Sequence, residues 1–298
     1  MGPQRFFLDD ARLHLQHGPI DIVIGADGLP SAVAAAHEAA WQRFETLLSE
    51  LVAELPELRQ PVQDTCRLHG PVARRMWQAC HPFRENFITP MAAVAGSVAQ
   101  ELLPAYQRDG VRRAWINNGG DIALHLTNDE AVQVGLYADI ARLDAQQLHS
   151  GLSLDGRFSV AFDSPIRGIA TSGWRGRSFS LGIADSVTVL AATAAQADAA
   201  ATVIGNAVNC DDARIERRRA CDLRDDSDLG DMAVTTHVPP LEAPLVQAAL
   251  QAGLTCANRL KQMGLISQCL IVCQGWHAST MDQEPLSHTA STLCQEPA

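Results

Sequence analysis

A chain of 298 residues, 47% hydrophobic and 19% charged, is long enough to bury a sizeable core and has the composition of an ordinary globular protein. A formal charge of -11 argues against general binding to nucleic acid or anionic membranes, which need clustered Lys and Arg. No run approaches ~20 apolar residues, and acids begin at Asp9 before a signal-peptide core can form, so a cytoplasmic protein with no membrane partner is expected.

Residues 12–25 alternate around His17-Gly18-Pro19 and predict a β-hairpin. Helical spacing follows over residues 31–55, closed by Pro56 and Pro61, and again over 72–80. A third helix is predicted from Pro90 to about Tyr106. Its residues 91–99 are almost all small, which permits close approach of a helix, a sheet or a ligand. Strand patterns come next, at residues 114–117, 122–126, 131–137, 157–162 and 186–190. Helices are expected over 194–208 and 241–263, with a final strand at 270–272. The run Arg217-Arg218-Arg219 lies among many acids and reads as a solvated loop. The pattern favours an α+β fold, a mostly antiparallel sheet flanked by helices, in a single domain over residues 1–276. Residues 277–298 read as a disordered tail. The eight cysteines contain no CxxC pair and read as reduced thiols, with Cys269 and Cys273 sharing one face of the last strand.

Three constellations carry possible chemistry. Asn117-Asn-Gly-Gly-Asp121 joins two strands; its glycines serve either a tight hairpin turn or a ligand approaching the backbone, beside the amide of Asn118 and the carboxylate of Asp121. Residues 168–182 form a glycine-rich loop in which Thr171, Ser172 and Ser178 are donors, Gly173 and Gly176 open the backbone, and Arg175 and Arg177 suit an anion. A structural turn with exposed arginines is the alternative. Asp198 and Thr202, four apart on a helix, place two oxygens on one face, apt for Mg2+ or merely for a helix terminus and packing. His125 shares a strand face with Asp121 and Ala123 and reads as structural. No catalytic residue can be assigned from spacing.

Met91-Ala-Ala-Val-Ala-Gly, Asn118-Gly-Gly-Asp121, Thr171-Ser-Gly173, Ser186-Val-Thr-Val and Ala197-Asp-Ala-Ala-Ala-Thr202 occur in the order found in the ApbE-like family. The chain resembles that family from about residue 90 to 208, and residues 229–275 look like a smaller branch of it. Its best-known members are flavin transferases that attach FMN from FAD to a protein. The resemblance implies that Asp198 and Thr202 help bind Mg2+. It implies that Asn118, Gly119, Gly120, Asp121, Thr171, Ser172 and Gly173 line a pocket for a flavin nucleotide, FAD or FMN. The His-x-x-Asp-Pro-x-Thr-Gly segment of the transferases has no counterpart between Trp174 and Asp185, so their histidine is missing. The leading expectation is a protein that binds a phosphorylated, flavin-like small molecule with Mg2+. Full transferase activity, and a non-catalytic interaction module with a vestigial pocket and a homo-oligomeric interface, are the alternatives.

Overall fold

The computed structural model describes residues 2–136, 156–281 and 287–288. The chain opens with β1 (Gln4–Phe7), β2 (Leu13–His17) and β3 (Ile20–Gly28), then α1 (Pro30–Ala53), the short α2 (Leu55–Leu58) and α3 (Pro71–Cys80). A 3-10 turn leads into α4 (Val94–Leu102), followed by β4 (Val111–Asn118), β5 (Asp121–Leu126), β6 (Ala131–Leu136), β7 (Gly156–Ala161), β8 (Gly168–Ser172) and β9 (Ser186–Ala191). Next come α5 (Ala194–Ala207), β10 (Glu216–Arg219), α6 (Ala220–Leu223), β11 (Ala233–His237), α7 (Ala243–Gln262), β12 (Gln268–Cys273), β13 (Trp276–Ser279) and β14 (Ser287–His288).

The main sheet has 10 strands in the order β1-β2-β3-β4-β5-β8-β9-β12-β13-β14. Its pairings, like those of the β6–β7 and β10–β11 hairpins, are antiparallel. The helices cover one face. Apolar residues of β2 to β5 pack with α1, α3 and α4, and those of β8, β9 and β12 pack with α5 and α7. The other face is covered locally by the β6–β7 hairpin, where Val134 and Val160 meet Leu124, Leu126, Ile169 and Leu190. Strand alternation therefore turns the large residues of β5 toward the hairpin and Asp121, Ala123 and His125 toward the helices.

Helix α5 owes its central place to small side chains. Ala197, Ala199, Ala200 and Ala201 are all buried, so the helix is covered on nearly every side and its backbone lies close to both α4 and β8.

The α+β reading with a mostly antiparallel sheet holds, as do the first hairpin and the main helices. Cys269 and Cys273 do share the buried face of β12, and the seven described cysteines are free thiols. Three expectations are corrected, and one strand is new. Residues 168–172, read as the start of a loop, form β8, because Ile169 and Ala170 each face a core and the strand pairs with both β5 and β9. The arginine run 217–219 is strand β10, its backbone satisfied by β11. The N-terminal β1 was not expected. The boundary at 276 falls inside β13, which pairs with β12; Tyr137 and most of the expected tail lie outside the described residues. No helix among the described residues is long and apolar enough to cross a membrane.

Replacing the fully buried Ala200 of α5 with Leu should cost about 1–3 kcal/mol by overpacking. A urea unfolding midpoint that falls at an unchanged slope would bear this out; an unmoved midpoint would contradict the tight seat described for α5.

Candidate functional site

Four segments meet at the N-terminus of α4. This helix has no side-chain cap of its own, so its first N–H groups need acceptors from elsewhere. Asp198 of α5 supplies them: its Oδ2 accepts from the Gly96 N–H at 2.9 Å, and the Ala95 N–H also bonds this carboxyl. Asn118 ties down the same turn, its Nδ2 donating to the Ala95 carbonyl at 3.1 Å. Position 96 must be glycine for the helices to cross this closely, since a Cβ there would stand 2.3 Å from the Ala194 carbonyl oxygen.

Asp121 starts β5 on the helix-facing side and is only 7% exposed. Its Oδ1 accepts from the Thr171 N–H at 3.2 Å, and its carboxyl lies within hydrogen-bonding reach of that of Asp198. Two carboxyl groups can bond to one another only when one carries a proton. Burial pushes Asp121 up to about 7, against the opposing pull of the Thr171 N–H and of the Arg177 charge. Burial first, and then the charge of Asp121, hold Asp198 well above the ordinary carboxylate range. The pair is a like-charge site that must share a proton or a cation.

The β4–β5 turn forms its rim. Asn117 Oδ1 accepts from the Gly120 N–H at 2.8 Å, and Gly119 and Gly120 take φ of 66° and 113°. The Arg177 guanidinium lies directly over Gly119, where a Cβ would be 1.7 Å from its terminal nitrogen. Beside Gly120 the space is open.

Asn118, Gly119, Gly120, Asp121, Arg177 and Asp198 are thus brought together as the sequence suggested. The remaining candidates are placed differently. Thr171 contributes its N–H, whereas its hydroxyl lies 3.0 Å from the Thr188 hydroxyl on the opposite sheet face. Ser172 faces α5 beside Gly205, about two turns past Asp198. Gly173 serves packing, for a Cβ there would meet the Asp185 carbonyl oxygen at 2.2 Å. Arg175 lies over the Trp174 ring at 5.0 Å and 3.8 Å from Asp185. Ser178 is exposed on the same loop as Arg177. Thr202 is half-buried one turn beyond Asp198. His125 stands four residues along β5 from Asp121, about 13 Å by strand rise. Sequence reasoning missed the Ala95 and Gly96 backbone; the small-residue run 91–99 was the available signal, since a glycine in it marks where a partner can touch the main chain.

Among the described residues no cluster of three or more His, Cys, Asp or Glu side chains is suited to a metal. Two adjacent carboxyl groups nevertheless match the usage of Mg2+, which takes one or two carboxylates and fills its shell with water and phosphate. A cavity of about 540 Å³ lies elsewhere, bordered by Arg5, Asp27, Gly28, His37 and Glu38. It sits at the far end of β3: Ile22 is opposite Asn118, but Gly28 is opposite Val111, about 20 Å away by strand rise. Its polar groups are already matched, Arg5 with Glu38 at 2.6 Å, Asp27 with Arg113 at 2.5 Å and His37 with Tyr106 at 2.8 Å. The unbalanced chemistry is at the carboxyl pair.

The family model described as AbpE bacteria matches residues 4–280. The chain belongs to that family. The AbpE-family chain is 34% identical over 208 residues to a UPF0280 protein of Methanopyrus kandleri, covering 69% of this chain and 78% of that one. A UPF0280 protein of Methanosarcina acetivorans is 34% identical over 198 residues, 65% and 72% of the two chains. One from Methanothermobacter thermautotrophicus is 38% identical over 163 residues, 54% of this chain and 58% of its own. Among solved structures, the ApbE protein of Thermotoga maritima is similar with a TM-score of 0.43 at 13% identity, over 93% of this chain and 96% of that one.

The raised Asp121 has a consequence for stability. A carboxyl whose folded pKa exceeds its unfolded value contributes stability that is fully present below the unfolded pKa and is lost as pH rises through the folded one, here about 7. His37, held neutral by burial, pulls the other way. The difference between wild type and Asp121→Asn isolates the pair: in metal-free buffer, the wild type should lose melting temperature relative to the variant from pH 5 to pH 8. Parallel curves would contradict the shared-proton description.

Proposed function

We propose that this protein binds a phosphorylated small molecule, of the flavin-nucleotide type by its family resemblance, together with Mg2+ at the Asp121–Asp198 pair. The observation that carries the reading is the forced contact of the buried Asp121 carboxyl with that of the half-buried Asp198, held by the Thr171, Ala95 and Gly96 N–H groups. A divalent cation between them removes the repulsion that otherwise demands a proton. Asp198 and Asp121 would be its protein ligands, with the Thr202 hydroxyl as a further oxygen on the same helix face. When bound, Mg2+ would neutralise phosphate charge and polarise a phosphoryl oxygen.

Arg177 supports the phosphate assignment. It is exposed, lies over the Gly119 backbone beside Asp121, and its planar fork suits phosphate oxygens. The open space beside Gly120 lets a ligand reach the main chain. Arg175 is turned toward Trp174 and Asp185 and takes no part in this reading. Free thiols at the seven described cysteines support a reducing, cytoplasmic setting for the activity.

The reading is tested by titrating FAD, FMN and ADP calorimetrically, with and without Mg2+. At least one should bind with Mg2+ dependence, and Asp198→Asn should weaken the metal-dependent binding roughly tenfold or more. Asparagine retains an acceptor oxygen for the α4 N–H groups, so the fold is spared. Equal affinities with and without Mg2+, or an unaffected variant, would overturn the proposal.

A further inference from the structure

Strand β1 closes one end of the main sheet, and no strand lies on its outer side among the described residues. All its residues are exposed, Phe6 by 45% and Phe7 by 65%. Two such rings on an open edge mark a surface that gains from being covered. Apart from being short, β1 lacks the features that blunt an edge. It holds no proline, its pairing with β2 has no register shift, and its one charge, on Arg5, is met by Glu38 at 2.6 Å.

The alternation of the ladder decides which backbone groups are free. The Leu8 N–H donates to the Arg12 carbonyl at 2.9 Å, so Leu8, and with it Phe6 and Gln4, turn their backbone groups toward β2. Arg5 and Phe7 therefore present their N–H and C=O groups outward. Leu15 and Leu13, opposite Arg5 and Phe7, lie in the helix-side core, which puts the Arg5 and Phe7 side chains on the α1 face. There Arg5 stands 5.0 Å over the Trp41 ring and Phe7 stands 5.9 Å from the His37 ring. Phe6 lies on the other face, 5.6 Å from the ring of His14.

We propose that β1 pairs antiparallel with β1 of a second copy of this chain, about a two-fold axis at Phe6. In that register Arg5 lies opposite the partner's Phe7, and Phe7 opposite the partner's Arg5. Every outward N–H of the two strands then meets an outward carbonyl. The neighbouring registers fail. An axis at Arg5 would set Phe7 against the partner's Pro3, which has no N–H, and an axis at Phe7 would set Arg5 against the partner's Asp9, in the turn after β1. The axis at Phe6 brings the two Phe6 rings together at a non-hydrogen-bonded pair, where cross-strand side chains are closest. Each Arg5 guanidinium comes beside the partner's Phe7 ring. The two α1 helices flank the seam on one face, and the seam runs along the Arg5 and Phe7 side of the cavity of about 540 Å³. So short a strand offers few contacts, and a dimer of micromolar affinity is expected. This inference is independent of the phosphate and Mg2+ reading.

Sedimentation velocity of the full chain across micromolar concentrations should show monomer converting to dimer. Phe6→Glu, at an exposed position, sets two acids against each other on the axis and should weaken the dimer roughly tenfold or more. Cross-linking reads the register. Phe6→Cys should form an intermolecular disulfide under mild oxidation, since the two Cα atoms would lie about 4.5 Å apart, within disulfide reach. Gln4→Cys should not exceed the wild-type background, because the two copies of position 4 would lie about 13 Å apart by strand rise. A chain that stays monomeric, a dimer unaffected by Phe6→Glu, or equal cross-linking at positions 4 and 6 would overturn the proposal. The two cysteine variants keep the test decisive if Phe6→Glu fails to fold.

Discussion

Helices α4 and α5 cross so closely that a methyl group at position 96 would collide with the Ala194 carbonyl oxygen. That approach is possible because both helices are built of small residues, and it fixes the rest of the site. It places the uncapped N-terminus of α4 over Asp198, whose carboxylate does the work of a missing cap. Asn118 then draws the β4–β5 turn onto Ala95 in the same turn of α4. Once these contacts form, Asp121 has nowhere to stand but against Asp198. The packing of the core and the assembly of the site are one event.

Such a pair is costly to fold without a third party. Burial draws both carboxyls upward, the charge of Asp121 adds to the effect on Asp198, and the N–H donors around them offset only part of this. Structural needs alone would be met by one acid capping α4 and an apolar residue at 121. A second buried acid makes sense where something positively charged, or a proton that comes and goes, is to be held. Arg177 lies close enough to act on Asp121 but stays exposed over Gly119, so its charge remains on offer to a ligand.

Much of this could be read in the sequence. Helical spacing located α1, α3 and α7 because each presents a periodic apolar face, and Asp121 and Asp198 were singled out from separate segments. Their mutual contact was hidden, since no local pattern says that a turn after one strand and the first half of a distant helix share a carboxyl pair. Residues 168–172 were misread because Gly, Thr and Ser outweigh two apolar residues in a short window, whereas β8 is defined by neighbours on both sides. The glycine at 173 suggested ligand access and instead serves contact with the Asp185 backbone. Likewise Thr171 was valued for its hydroxyl, yet the part that reaches Asp121 is its main-chain N–H, which no side-chain inventory can foresee. Membership of the AbpE family, read from five weak motifs in order, agrees with the match over residues 4–280.

The central claim is that Asp121 and Asp198 are held together to receive a cation. Its most direct test is a crystal structure grown with Mn2+ in place of Mg2+, with diffraction recorded at the manganese absorption edge. The account predicts one strong anomalous peak bounded by the two carboxylates, with oxygens at about 2.0–2.3 Å, and the direct bond between the carboxyls broken. Carboxyls still bonded to each other, with manganese absent or bound elsewhere, would contradict it.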